Sequence, residues 1–412
     1  MRRSRTPALA LTVFALLLAF PALAHAAEPT FTFTGRGWGH GIGMSQYGSK
    51  GYAEHGWTYD RILKRYYQGT TLGTVPGKKV RVAIQKDNIA QPSWRMRANS
   101  SLLKVKNRYG RELEMGTDTV YTFTAGPGGV VIVKDQASRV VTSVLAPAAV
   151  WERGGGQPEV LDASGPLDWT SVCYKGEMWL VVSGSNLYAY NHVPMETYVT
   201  CVGPREMPAS WHAEALKVQA VAARSYAYVS LRSTGDYDVY CTTRSQVYNG
   251  WGRASGGTMT RHSSDYLYDA PVAATANKVV TYGTTVVQTF FTSTSGGHTE
   301  NIENVWPGAT PRPYYTGVAD EYESVSGSPY HVWPEDDLAF TASGLRSELL
   351  EQNSTGGYKY FTPDQVPASI VEVRVTQRGV SGRVKQIVLE GAAGDDKTIE
   401  GGKIASFKSA LG

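Results

Sequence analysis

The stretch Glu206–Ala227, EMPASWHAEALKVQAVAARSYA, most constrains what this chain can fold into. Proline lacks an amide proton and clashes with the preceding turn, so Pro208 ends any helix that comes before it. Ser210 is then the expected N-cap of a new helix, with Glu214 in the first turn where the helix dipole favours a carboxylate. Trp211, Ala215, Val218, Ala222, Tyr226 and Val229 recur at three- and four-residue steps, one face of an amphipathic helix. Alanines on that face let a neighbour approach closely, so the helix is expected to be an internal scaffold. Glu206 stands just outside its start, beside Met207 and Pro208, where apolar contact raises a carboxyl pKa.

The first residues read as a secretory leader. Arg2, Arg3 and Arg5 precede an apolar run from Ala8 to Leu23, and Ala24-His25-Ala26 forms an A-x-A cleavage site. The run is shorter than the roughly 20 residues of a membrane span, and Pro21 interrupts it. No cysteine follows it, so no lipoprotein anchor is expected. Cleavage after Ala26 removes three of the 40 basic residues and no acid. Most of the net charge of +4 therefore belongs to the leader. The overall basicity is thus no argument for nucleic acid, whose binders carry concentrated positive patches.

The three cysteines are Cys173, Cys201 and Cys241. An exported protein favours a disulfide with one thiol left over, and Cys201 with Cys241 is the expected pair because both flank the motifs below. A thiolate metal site including His212 competes, but no CxxC or HExxH spacing supports it, so no metal or cofactor is expected.

Along the chain, Phe31 and Phe33 alternate with threonines as in a strand. Five glycines from Gly35 to Gly43 follow, a loop whose backbone can approach a ligand closely and which offers His40 and Gln46. No Lys-Ser/Thr follows the glycines, so this is not a phosphate loop. Residues 46–52 and 59–67 are expected to be helical, the second with Thr58 as N-cap and Gly69 past its end. Residues 75–190 read mainly as β-structure: Val80, Val82 and Ile84 alternate, Val130–Val133 is an apolar run, and 174–190 holds two strands split by Ser183-Gly184-Ser185-Asn186. Residues 336–353 are expected to be helical with a break near Gly344. Val371, Val373 and Val375, then 384–389, form a hairpin around Gly379 and Gly382.

Three groups of residues point one way. NHVPMETYVTCVGPREMPASWHAEALKVQAVAARSYAY resembles the central motif of the stage II sporulation protein D family (SpoIID/LytB type). TTRSQVYNG and FFTSTSGGHTENI are similar to the blocks that follow it there, and GRGWGHGIGMSQYGSKGYAEHG is similar to the block that usually closes the family's chains. Here that closing block comes first, which reads as a circular permutation, tolerated where native termini lie close together. On that reading Phe31–Thr34 should continue a sheet near the 371–389 hairpin, the mature N-terminus should lie near Gly412, and His40 should enter the cleft of Glu206.

The resemblance implies an α+β fold, a β-rich scaffold around the alanine-rich helix. The expected divisions are a leader over 1–26, a glycine-rich module over 27–74 docked on the catalytic core, a β-rich domain over 75–169 and the core over 170–412. It also implies a secreted, wall-associated lytic transglycosylase acting on peptidoglycan glycan strands, with Glu206 as the catalytic residue. Most glycosidases need two carboxylates. A transglycosylase can use one, because the sugar's own 6-hydroxyl attacks and gives a 1,6-anhydro product. His40, Gln46, Arg224, Gln246, Tyr248 and Ser295 are candidate glycan contacts, Gln219 is a candidate brace of the site, and Glu196 and Glu214 read as structural. The alternatives are a non-catalytic glycan-binding protein or modifier of a wall amidase, and a metal-dependent wall hydrolase.

Overall fold

A computed structural model describes residues 28–411 apart from 86–87, 99–100, 118, 156–157, 162–170, 256–257, 262, 334–337 and 352–359. The expected leader and Gly412 lie outside the described residues. The fold is α+β and strand-rich. Four helices surround the site: α1 (Gln46–Glu54), α2 (Tyr59–Tyr66), α3 (Met195–Glu206) and α4 (Ala213–Ser230).

Helix α4 is the expected scaffold, buried on nearly every side. Leu216, Ala220, Val221 and Ala223 are as enclosed as Ala215, Val218 and Ala222 of the predicted face, as befits a helix wrapped by neighbours, whereas Val229 is 40% exposed and Trp211 precedes the helix. Those neighbours are α1, α2, α3, the helix Asp269–Ala274 and the strand Lys278–Tyr282. Its N-cap is His212, whose Nδ1 accepts from the Glu214 N–H, and not Ser210. The reason is local: the Trp211 N–H closes a turn on the Pro208 carbonyl, so Ser210 lies within that turn.

Two sheets carry the β-structure. One has seven strands in the order 239–240, 79–83, 186–194, 177–183, 148–152, 103–106, 112–114. The other has eight, running from 140–145 through 121–126, 93–97 and 172–173 to 258–260. Both pair strands from either side of the expected boundary at 169/170, and one hydrophobic cluster runs from Ile42 to Val318. The 75–169 segment is thus no separate domain. A second core forms around Leu345, Leu349, Phe361, Leu389 and Phe407. Among the described residues the division between cores falls between Val318 and Leu338.

The glycine-rich segment serves both cores. Thr30–Thr32 pairs antiparallel with Ala339–Thr341, not with the 370–378/384–391 hairpin. Phe33 packs on Phe407 at 5.8 Å between ring centroids, so the start of the described chain lies against its last helix, Gly402–Ala410. Met44–Ser45 pairs with Phe291–Thr292 and leads into α1, inside the main core. Gly37, Gly39, Gly41 and Gly43 all have left-handed backbone. At Gly39 a Cβ would also collide with Thr292 Oγ1. The expected helix of 336–353 begins only at Ala342, because Ala339–Thr341 is taken into the strand pair. Gly344 is no break: its N–H bonds the N-cap Thr341 Oγ1 at 3.1 Å. Among the described residues no helix is long and apolar enough to cross a membrane.

Helix α3 runs directly out of the 186–194 strand, and Gly203 in its last turn faces the buried Tyr268 ring. A Cβ there would collide with that ring, whose hydroxyl donates to the Met207 carbonyl at 3.2 Å. Gly203→Ala is therefore expected to destabilise the protein by about 1–3 kcal/mol despite alanine's better helix propensity. Chemical denaturation measures it; an unchanged or raised midpoint would mean that Tyr268 yields freely.

Candidate active site

Glu206 is the last residue of α3, where Met207 turns to extended backbone before Pro208. Gln46, at the first position of α1, donates its Nε2 to the Glu206 carbonyl at 2.8 Å and to Gln219 Oε1 at 3.3 Å. The glycine-rich segment thereby holds a C-terminal carbonyl of α3 that the helix itself leaves without a partner.

The Glu206 carboxyl is half-buried, and Oε1 accepts the Val247 N–H at 2.8 Å. Burial pushes its pKa up to about 7, and the Val247 hydrogen bond only partly opposes this. Among the described residues no other carboxylate contributes to the shift. Tyr198, Tyr226 and Tyr268 all feel its charge. Gln246 beside it is buried and accepts from Tyr198 Oη at 3.1 Å. Among the described residues the buried Nε2 groups of Gln219 and Gln246 have no acceptor. A buried amide donor without a partner is costly, and a bound polar group would relieve it.

The other expected contacts lie elsewhere. Arg224 is fully buried and forks onto Glu196, with 2.9 and 2.6 Å bonds, as a brace between α4 and α3. Tyr248 is buried in the core and donates to Asn191 Oδ1 at 2.6 Å. Ser295 Oγ donates to Glu323 at 2.6 Å and Asp320 at 2.9 Å, inside a carboxylate cluster that also binds Ser45, Tyr66 and His331. Burial, with the Glu323 charge adding, pushes Asp320 up to about 7. Glu323, also pushed upward by burial, is held below its usual value by bonds from Ser295, Ser45 and His331. Glu196 and Glu214 are structural as expected: Glu214 accepts the Tyr59 N–H at 2.7 Å, capping the start of α2.

His40 lines a cavity of about 830 Å³ together with Trp306 and Arg383, and Glu206 is not among the residues lining it. Burial, helped by the Arg383 charge, pushes His40 down to about 4, so its ring is neutral at pH 7. Its Nδ1 accepts the Ile42 N–H at 3.0 Å.

Cys201 and Cys241 are not joined in a disulfide; with Cys173 they are buried thiols. Cys201 and Cys241 lie near the buried Tyr174 and Tyr248 rings. Burial pushes Cys173 and Cys201 up to about 12, and a thiol held neutral is a poor partner for disulfide exchange. Sequence reasoning missed the Val247 amide and the Tyr198 and Tyr268 rings. The only signal for the first was the nearness of 245–247 to the expected contact Gln246.

Residues 183–282, which contain α3, Glu206 and α4, match the family described as Stage II sporulation protein (SpoIID). Stage II sporulation protein D of Bacillus subtilis is 36% identical over 143 residues, 33% of this chain and 41% of that protein. Its counterpart in Bacillus amyloliquefaciens is 30% identical over 195 residues, 45% of this chain and 55% of the relative. An amidase enhancer of Bacillus subtilis is 39% identical over 108 residues, 26% of this chain and 13% of the relative. The matches thus span between 13% and 55% of the length of these relatives. Residues 183–282 are thus similar to the SpoIID family in the part of the chain that holds α3 and α4.

Proposed function

We propose that this protein is a wall-associated lytic transglycosylase that cleaves peptidoglycan glycan strands with Glu206 as its single acid and base. The observation that carries this reading is a carboxyl pushed up to about 7 by burial, held by one backbone N–H and, among the described residues, shifted by no second carboxylate. A general acid is most effective when its pKa lies near the working pH. Paired-carboxylate hydrolysis needs a second acid within about 5–9.5 Å.

The protonated Glu206 carboxyl gives its proton to the glycosidic oxygen as the C1–O bond breaks. The carboxylate then takes the proton of the same sugar's 6-hydroxyl as that oxygen closes on C1. The product is a 1,6-anhydro ring, Glu206 is protonated again, and no water is consumed. The spare amide donors of Gln219 and Gln246 are suited to acetamido or hydroxyl oxygens of the sugar. Secretion would place the enzyme where its substrate lies.

Mass analysis of products from peptide-free strands tests this. Every new end should be anhydro-muramyl, one water lighter than a reducing end. Reducing ends would make the protein a hydrolase. The likeness to an amidase enhancer supports a second reading, a protein that binds glycan and modifies a wall amidase. Intact strands combined with faster cleavage by an added amidase would favour it.

A further inference from the structure

The 830 Å³ cavity lies between the two cores and is lined from both: Trp38 and His40 from the glycine-rich loop, Trp306 from the main core, and Arg383, Lys385 and Lys408 from the C-terminal unit. Its size falls within the roughly 300–1,000 Å³ of small-molecule sites. Its chemistry is uneven. Glu303 and Glu400 also line it, but each already accepts a side-chain amide, from Asn301 at 3.0 Å and Gln386 at 2.9 Å.

The cations are less well served. Arg383 Nη1 reaches only the Gly39 carbonyl, at 3.2 Å, and Lys408 Nζ only the Gly37 carbonyl, also at 3.2 Å. Among the described residues neither has a carboxylate within 4 Å. Lys408 instead lies over the Trp38 and Trp333 rings, 4.9 and 4.8 Å from their centres. Burial, with the Arg383 charge adding, pushes Lys408 down to about 8. Two neighbouring half-buried cations with no ion pair between them and a carboxylate repel each other, although the Glu300 charge acts favourably on Arg383, and an anion between them would offset the cost. The walls suggest what carries the anion. Trp38 is 41% exposed and is kept flat by stacking on Tyr330, 4.7 Å away at 23°. Trp306 also lines the cavity, beside the neutral His40 ring at 5.4 Å. Flat, rigid indoles suit the apolar face of a sugar ring.

We propose that this cavity is a second saccharide site, selective for an acidic sugar whose ring lies on Trp38 or Trp306 and whose carboxylate or phosphate is held by Arg383 and Lys408. The inference stands on the cavity alone and does not rest on the role of Glu206. It would let the protein hold a charged glycan at one point while another part of the strand is presented elsewhere.

Tryptophan fluorescence and calorimetric titration of the full chain test it with N-acetylmuramic acid, its methyl ester, N-acetylglucosamine 6-phosphate and inorganic phosphate. The free acid or the sugar phosphate should bind about tenfold or more tightly than the ester, and whichever binds identifies the source of the anion. Arg383→Gln and Lys408→Gln should each remove that preference. The wild-type comparison needs no variant to fold. Equal affinity for acid and ester, with no binding of the sugar phosphate, would overturn the proposal. So would inorganic phosphate binding as tightly as the sugar phosphate, or a preference that survives both substitutions.

Discussion

Glu206→Gln is expected to reduce glycan cleavage by about 10²–10⁴-fold, the range attributable to a positioned proton donor, and to leave binding of the strand nearly unchanged. Glutamine keeps the shape and can still accept the Val247 N–H, so only the transferable proton is lost. The same variant makes an opposite prediction for stability. The folded pKa of about 7 lies above the reference value of 4.5. The contribution of the protonated carboxyl is therefore complete below about pH 4.5 and is lost as pH rises through about 7. Glutamine does not ionise, so the variant should match wild type in acid and exceed it above neutrality by up to about 3 kcal/mol. Retained cleavage at the wild-type rate would end the single-acid mechanism. A variant less stable than wild type at pH 8 would mean that the carboxyl is not buried as described.

The largest loss of stability is expected for Arg224→Ala. Arg224 is fully enclosed, forks onto Glu196 and donates to the Lys278 carbonyl at 3.0 Å. Glu196 in turn accepts the Asn277 N–H at 3.2 Å, so one pair ties α3 and α4 to the strand beginning at Lys278. Breaking a buried pair and leaving a void costs about 3–5 kcal/mol. The Glu196 side chain is about one-third exposed and can be rehydrated, which favours the lower end of that range. Arg224→Lys keeps the charge but not the fork and should fall between. Both variants should cleave normally at temperatures where they remain folded, since Arg224 does not touch Glu206. Denaturation curves decide; a loss below 0.5 kcal/mol in Arg224→Ala would show the pair to be idle.

Much of this architecture was legible because it is local. Helix α4 announces itself in the spacing of its apolar residues, α2 in Thr58 and its apolar steps, and the 177–194 hairpin in the Ser183–Asn186 turn. Glu206 could be placed at a helix end because Pro208 stops α3. What could not be read is long-range. The two large sheets join strands from both sides of residue 169, and no local signal reports which strands will pair. The glycine-rich segment looks like one module, yet its phenylalanines enter one core and its helices the other. For the same reason His40 and Gln46, six residues apart, lead to different places: one to the cation-lined cavity, the other to the Glu206 carbonyl. Arg224 and Ser295 have polar chemistry that suits ligand contact, but buried partners already occupy it.

The most direct measurement is the pH dependence of strand cleavage by the wild-type protein, read as kcat/KM on peptide-free glycan. If one buried carboxyl must be protonated to begin the reaction, the rate should be level in mild acid and fall tenfold per pH unit above about 7, with a single apparent pKa. A rate that instead falls above about pH 4.5, or climbs through neutrality, would contradict a protonated Glu206 as the acid that opens the glycosidic bond.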